Sequence, residues 1–469
     1  MKKIIIAIFI FILIGNVVAS ATKSEYDNQT IEMYMGNALK EYNIPGASMA
    51  VFKDNKVIYR GNWGYKSDGT PITSDSPFII GSLSKPITAL ATMILVEEGK
   101  IKLDEPIETY IPWFKYQSKN MKSIKILNLL DHTSSISSSD GFKVTDRKYT
   151  KDDAIKEAAS SLSGIKLNHT PGEKYEYTSA NYLLLGAVIE EVSREPFDEF
   201  VKKNVFIPLG MDNTEANYES ALKKGLKSGY QSWFGKPVKW DGFYDNSGAP
   251  YGYMVSTAND LIKFLEFMVN GGSLISEQSL KLLKSPPAID RSYGLGWFYS
   301  DDDNHFYHGG ATPDFRTEMF YGPETGVAAI LLTNKYNTFE DHQVSNIMKD
   351  VRSIIYEDIT PELEKHDYMI MWTMLAVTLV SGIASIYNII RLKRKATIKR
   401  STSIIKVIVS TLIAITLIPA LSYFFGTPWY TISLFAPDFA VLIICLIAIL
   451  VTNSVFTLIV LKSNQRFKE

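Results

Sequence analysis

Apolar residues form long unbroken runs only near the two ends of the chain; between them they recur in short periodic patterns. At the start, Lys2 and Lys3 precede an apolar run from Ile4 to Ile14, followed by Ala19-Ser20-Ala21. A basic start, a short apolar stretch and small residues predict a secretory signal peptide over residues 1–21, cleaved after Ala21. An uncleaved anchor is the alternative, although residues 4–19 are short for a hydrocarbon core of ~30 Å. Near the other end, Tyr368–Ile390, Ile404–Phe425 and Phe439–Leu461 are each long enough to cross a bilayer as a helix.

Charge around those runs predicts their orientation. The connection "RLKRKATIKR" is rich in lysine and arginine, whereas "GTPWYTISLFAPD" has neither. Basic loops stay cytoplasmic, so the first helix runs inward, the second outward, and the third inward to a tail with Lys462, Arg466 and Lys468. Trp429 and Tyr430 fit an outer aromatic belt. The large N-terminal part then lies outside, as the signal peptide independently requires. The expected domains are an exported body at 22–358, a linker at 359–367 and a membrane part at 368–469.

Within the body, "GASMAVFKDNKVIYRGNWGY" predicts two strands joined by a polar turn. In "SKPITALATMILVEEGK", Ile87, Leu90, Ala91 and Ile94 mark one face of a helix, with Gly99 as its C-terminal stop. The middle is helical and loop-rich, most clearly in "NYLLLGAVIEEVSREPFDEFVKKNVF". In "HFYHGGATPDFRTEMFYGPETGVAAILLTN", strand runs flank a Gly-Pro-Glu-Thr-Gly turn. Strands at both ends around a helical middle predict one sheet built from the termini of the body, with a helical insertion.

Composition narrows the chemistry. Lysine plus arginine number 49 against 50 acids, a formal charge of −1, so no broad basic surface points to nucleic acid. The single cysteine, Cys445, lies in the third apolar run. The body therefore has no disulfide, thiolate metal site or cysteine nucleophile, and its roughly 340 residues suffice for a core without such staples. His305 and His308 are three apart on an expected strand and face opposite sides, a poor metal pair. There is no G-x-S-x-G elbow and no Walker or dinucleotide fingerprint.

The spacing S-x-x-K occurs at Ser20, Ser82, Ser163, Ser220 and Ser403. Only Ser82 is followed by a proline in the first turn and then a long apolar helix. On a helix Ser82 and Lys85 share a face, so the amine reaches the hydroxyl. A serine hydroxyl is a poor nucleophile until a neighbouring base takes its proton. Lysine is such a base only when neutral, and burial at a helix N-terminus favours the neutral form. The competing assignment is structural: Ser82 caps the helix and Lys85 is merely solvated.

Further segments give the chain a family likeness: "ILNLLDHTSSI", "PGEKYEYTSANYLLLGAVIEEVS", "PLGMDNT", "MVSTANDLIKF", "YGLGW" and "HGGATPDF", in that order. With "SLSK", these resemble the serine β-lactamase and penicillin-binding-protein superfamily, in its class C branch, over residues 30–355. The resemblance implies an α/β, β-lactamase/transpeptidase-like fold: an antiparallel sheet from both termini flanked by helices, with a helical insertion. An all-α transmembrane C-terminal domain follows it.

The same resemblance implies Ser82 as acylated nucleophile, Lys85 as its base partner and Tyr177 as proton relay. Ser179 stands where the family's Tyr-x-Asn motif has asparagine, and Asn181 comes too late to replace it. Ser135 takes the glycine position of L-L-x-H-T-S-G, where His132 is expected to orient the loop. His308, Gly309 and Gly310 match the third motif, with Ala311 and Ser82 donating backbone N–H groups to an oxyanion; His308 would bind a substrate carboxylate or support Tyr177. Asp314 falls where glycine is common.

The implied activity is that of a membrane-anchored extracellular serine hydrolase acting through an acyl-enzyme on D-amino-acid amides or esters of the cell envelope. The expected partners are a D-alanyl substrate or β-lactam and the membrane; no cofactor, metal or nucleic acid is expected. The alternatives are a penicillin-binding sensor or partner-binding protein that keeps the fold with little turnover, and a β-lactamase.

Overall fold

The computed structural model describes residues 28–466, apart from 119–120, 152, 288–291, 302–303, 358 and 395–399. The expected signal peptide, residues 1–21, lies outside the described residues. The chain divides into two compact units. The first runs through Tyr230 and takes in Lys239–Tyr336 and Glu340–Lys365; the second contains Gln231–Val238, Asn337–Phe339 and the chain from His366 onward.

The first unit is built on a six-stranded antiparallel sheet. Helix α1 (28–41) leads into β1 (Gly46–Lys53) and β2 (Lys56–Gly64), joined by Asp54 and Asn55, both at positive φ as a tight hairpin turn requires. Helices α2 (Ser84–Glu97), α3 (Ser179–Ser193) and α4 (Ala258–Asn270) belong to the middle of the sequence. The chain then returns through β3 (Phe298–Ser300), β4 (His305–Thr312), β5 (Phe315–Tyr321) and β6 (Ala328–Thr333) before α5 (His342–Glu357). The strand order is β2-β1-β6-β5-β4-β3, so strands from both ends meet at β1–β6, where Ala47 opposes Thr333. This is the sheet expected from the terminal strand patterns.

Both sheet faces are covered. Ile31, Met35 and Leu39 of α1 and Ile347, Met348 and Val351 of α5 pack on Met49, Val51, Ala329 and Leu331. Side chains alternate along a strand, which leaves Ala50, Phe52, Ile330 and Leu332 for the opposite face, where α4 packs against β1 and β6. This explains why β1 and β6 read as nearly continuous apolar runs.

Helix α2 departs from the one-faced pattern expected of it. Every residue from Ser84 to Leu95 is buried, because the helix is packed by other helices as well as by the segment 249–253. Its end is as expected: Gly99 has φ +70°, and the Lys100 N–H returns to the Leu95 carbonyl.

Among the described residues, the second unit contains three helices long and apolar enough to cross a membrane: α6 (Met369–Arg394), α7 (Arg400–Phe425) and, after the short α8 (Trp429–Phe435), α9 (Pro437–Arg466). Their mean hydropathies over the most apolar windows are 1.9, 2.4 and 2.7.

Candidate active site

Ser82 sits in a single 3₁₀ turn, Gly81–Leu83, that feeds directly into α2. Its hydroxyl does not cap that helix; neither the turn nor α2 has a side-chain cap. The turn is fixed from other directions. The Ser84 hydroxyl donates to the Gly81 carbonyl at 2.8 Å, and the Thr317 hydroxyl of β5 donates to the Ile80 carbonyl at 2.8 Å.

Lys85, one turn on, is completely buried. Its Nζ lies 2.9 Å from Ser82 Oγ, 2.7 Å from the Tyr251 carbonyl oxygen and 3.4 Å from Ser179 Oγ. Burial pushes its pKa down from 10.5 to about 7, against the opposing pull of the Asp146 carboxylate. A large fraction of this lysine is thus neutral near neutral pH, in contact with a serine hydroxyl.

Tyr177 is half-buried, its ring centroid 4.9 Å from Lys85 Nζ. Burial raises its phenol pKa, an effect that hydrogen bonding with Ser82 reduces, so the resting group is a protonated phenol linked to the serine. Its ring stands 4.4 Å from His132 and is stacked on Phe298 at 5.8 Å. Among the described residues, the side chain of Ser179, the first residue of α3, makes only the long contact to Lys85. Asn181 is turned elsewhere: it accepts from the Ser134 hydroxyl at 2.6 Å and its amide meets His132 Nδ1 at 2.9 Å.

His132 orients the loop, as expected. It occupies a left-handed turn at φ +57°, is fully buried, and its Nδ1 faces the donor N–H of Thr178 at 3.3 Å as well as Asn181. Burial holds its pKa well below 6.5, so the ring stays neutral and packs beneath Tyr177. Ser135 has φ +66°, a conformation that favours glycine, which gives the physical reason for glycine at this position of the motif.

The edge of β4 faces the nucleophile turn. Among the described residues, β3 pairs with β4 only at residues 305–307, leaving Gly309–Thr312 unpaired by a strand on that side. Glycine is required where the two segments meet: a Cβ on Gly310 would lie 2.1 Å from the Ile80 carbonyl oxygen, and one on Gly81, at φ +56°, would lie 2.3 Å from the Ala311 nitrogen. The Ala311 amide is thereby brought beside the Ser82 turn. Gly309 lies against the Arg316 guanidinium, 2.9 Å from where its Cβ would be.

His308 stands beside Tyr177, with ring centroids 6.4 Å apart. The Gly309 carbonyl, 2.8 Å from Nδ1, is an acceptor, so Nδ1 carries the proton and Nε2 accepts from the Tyr293 hydroxyl at 3.1 Å. Burial and the nearby Lys85 push its pKa down to about 3. The ring is neutral, and both nitrogens are engaged within the fold. Through Tyr293, whose ring meets that of Tyr177 edge-on at 5.8 Å, it belongs to the aromatic wall behind the tyrosine. Asp314 is also buried: its carboxylate accepts from the Gly229 amide at 2.8 Å and the Thr312 hydroxyl at 3.2 Å, closing the β4–β5 turn.

Two contributors escaped the sequence reading. One is the Tyr251 carbonyl, presented by a wide helical turn at Ala249–Tyr253. The other is Asp146, at φ +57°, whose carboxylate accepts from Tyr253 at 2.6 Å and whose N–H donates to the Tyr251 hydroxyl at 3.1 Å. Burial raises the Asp146 pKa to about 6. The aromatic-rich "APYGYM" was the available signal. Among the described residues, no group of three or more His, Cys, Asp or Glu is placed to hold a metal.

A serine held by a neutral-capable lysine, a protonated tyrosine and an adjacent strand edge can support acyl transfer. The family model described as Beta-lactamase matches residues 28–349. Protein flp of Staphylococcus aureus is 27% identical over 366 residues, covering 75% of this chain and 72% of its own. The putative penicillin-binding protein PbpX of Bacillus subtilis is 31% identical over 340 residues, covering 70% and 80% respectively. Among solved structures, the octameric penicillin-binding protein homologue from Pyrococcus abyssi shares the fold with TM-score 0.60 at 24% identity, over 69% of this chain and 76% of that one. A hydrolase with acyltransferase activity, a D-alanine carboxypeptidase and a D-amino acid amidase also share the fold.

Proposed function

We propose, since the chain belongs to the beta-lactamase family of serine hydrolases, that it is a membrane-anchored serine acyl hydrolase facing the cell exterior. Its substrates are D-amino-acid amides or esters of the envelope. The observation that carries this reading is Lys85 Nζ, fully buried, held near pKa 7 and 2.9 Å from Ser82 Oγ. Neutral Lys85 takes the Ser82 proton as Oγ attacks the substrate carbonyl. The N–H groups of Ser82 and Ala311 receive the negative oxygen of the tetrahedral intermediate. Tyr177 relays the proton that Lys85 took from Ser82 to the departing amine or alcohol, leaving Lys85 neutral and an ester on Ser82 that water then cleaves. The basic connection at 391–400 and the apolar helices support the anchoring and its orientation.

The test is intact-mass analysis of the full-length protein in detergent after exposure to a penicillin, followed by turnover assays with D-alanyl-D-alanine peptides, D-alanyl esters and β-lactams. A single adduct on Ser82, absent in Ser82→Ala, is expected together with turnover of a D-alanyl substrate. Folded protein with no adduct would sink the nucleophile assignment. An adduct without turnover of any of these substrates would favour the sensor.

A further inference from the structure

The second compact unit is more than three long helices, because it takes in two short segments from inside the hydrolase sequence, Gln231–Val238 and Asn337–Phe339. Each is attached in the same three ways. Each sends a phenylalanine into the apolar cluster of the helices: Phe234 lies 5.4 Å from Trp372, and Phe339 5.2 Å from Phe439, by ring centroids. Each gives a donor to a carbonyl at the end of α8, Gln231 Nε2 to Leu434 at 3.2 Å and Thr338 Oγ1 to Phe435 at 3.2 Å. Those carbonyls lack an onward turn of helix and need such partners.

The third attachment is Asp438, at the start of α9 and 2% exposed. One carboxylate oxygen accepts from the Phe234 amide at 2.9 Å; the other accepts from the Asn337 side chain and the Phe439 amide, each at 2.9 Å. A buried carboxylate is tolerated only when its lone pairs are met, and here the two hydrolase segments supply two of the donors.

We propose that the C-terminal helices are a clamp built into the hydrolase rather than a tether, and that Asp438 is the positioning residue holding both segments. The held segments continue directly into the surroundings of the site. Gly229, whose amide binds Asp314 at the β4–β5 turn, is two residues before Gln231; Asn334, which accepts from Tyr230, follows β6 and is three residues before Asn337. Freeing the clamp therefore loosens the turn at the end of β4, the strand bearing His308–Ala311. This catalytic consequence rests on the proposed function, whereas the clamp itself does not.

Hydrogen exchange by mass spectrometry on the full chain in detergent micelles tests it, with β-lactam acylation measured in parallel. In Asp438→Ala, exchange in 231–238, including the Phe234 amide that is itself a donor, and in 337–339 is expected to quicken roughly tenfold or more. Acylation is expected to slow several-fold. Unchanged exchange in both segments overturns the clamp; faster exchange with unaltered acylation overturns its catalytic role. Should Asp438→Ala not yield folded protein, Asn337→Ala decides instead, since it removes the bonds to Asp438 and to the Ser232 carbonyl. Unchanged exchange there overturns the proposal equally. A wild type that is never acylated refutes the proposed function and leaves the exchange result to stand alone.

Discussion

Asp146→Asn should move the acid limb of acylation to lower pH. Holding the Lys85 amine at about 7 instead of 10.5 corresponds to roughly 5 kcal/mol of net disfavour for its charged form. Asp146 works against that burial, because its negative charge stabilises the ammonium. Around the lysine, His132 and His308 are neutral and Tyr177 is protonated, so the carboxylate is the opposing charge that matters. Asparagine retains a carbonyl for the Tyr253 hydroxyl but has no charge, and the Lys85 pKa should fall by about one pH unit. At pH 7, where Asp146 is mostly ionised, the neutral fraction then rises from about one half to about nine-tenths, and the rate rises with it if neutral Lys85 takes the proton. Asp146 itself titrates at about 6, so the wild-type profile bends below that value as its countercharge disappears. The assay is stopped-flow acylation by a fluorescent penicillin from about pH 5 to pH 9 on full-length protein. A limb that stays in place or moves upward in Asp146→Asn refutes the argument.

Four further outcomes follow from individual contacts. Lys85→Met should abolish acylation and raise stability at pH 7 by roughly 2 kcal/mol in denaturant melts, the relief of charge burial exceeding the loss of the Tyr251 carbonyl's donor; a less stable variant refutes this. Ser135→Gly should stabilise by about 1 kcal/mol, since it removes a side chain from φ +66° and a buried hydroxyl with no hydrogen-bond partner among the described residues; thermal unfolding checks it. Gly310→Ala, whose Cβ meets the Ile80 carbonyl at 2.1 Å, should destabilise by about 3 kcal/mol and displace the β4 edge, seen as lost acylation. Asp314, buried with its pKa raised to about 7 from 3.8, keeps more protons folded than unfolded between those values. Stability it confers therefore declines as pH rises through that window, by up to roughly 4 kcal/mol, and Asp314→Asn should flatten the decline in melts across the window.

The parts of the site visible in the sequence are those whose chemistry fixes a short spacing. Ser82 and Lys85 must share a helical turn, and Gly310 must be small where β4 meets the Ile80 carbonyl, so both leave a pattern in residue type. The sheet was legible because its strands alternate or run apolar and are closed by turn residues such as Asp54-Asn55. The Tyr251 contact was not, because a backbone carbonyl has no side-chain signature and the turn carrying it has no helical period. The direction of the His308 ring was equally hidden: spacing puts it on the strand, but only its neighbours Tyr293 and Gly309 set where its nitrogens point. Gln231–Val238 and Asn337–Phe339 are too short for any periodicity to mark them as part of the helical unit.

Two of the departures from the family pattern, Ser179 and Asp314, have unequal weight once their surroundings are known. Asp314 is occupied in closing the β4–β5 turn and presents its carboxylate to Gly229 and Thr312, so it acts on the site through the stability of the hairpin and not by touching the reacting groups at Ser82. Ser179 matters more directly, because it replaces an amide with a hydroxyl 3.4 Å from the lysine, too long for a strong hydrogen bond. The lysine is nevertheless oriented without it, held by the Tyr251 carbonyl at 2.7 Å and its own contact to Ser82 at 2.9 Å. Asn181, the nearest amide in sequence, is committed to Ser134 and His132. The loss therefore falls on what an asparagine offers a substrate, one donor and one acceptor beside the acyl group, rather than on the base. On the proposed mechanism, Ser179 weakens the grip on the acyl portion and relaxes substrate choice while leaving the proton transfer from Ser82 intact.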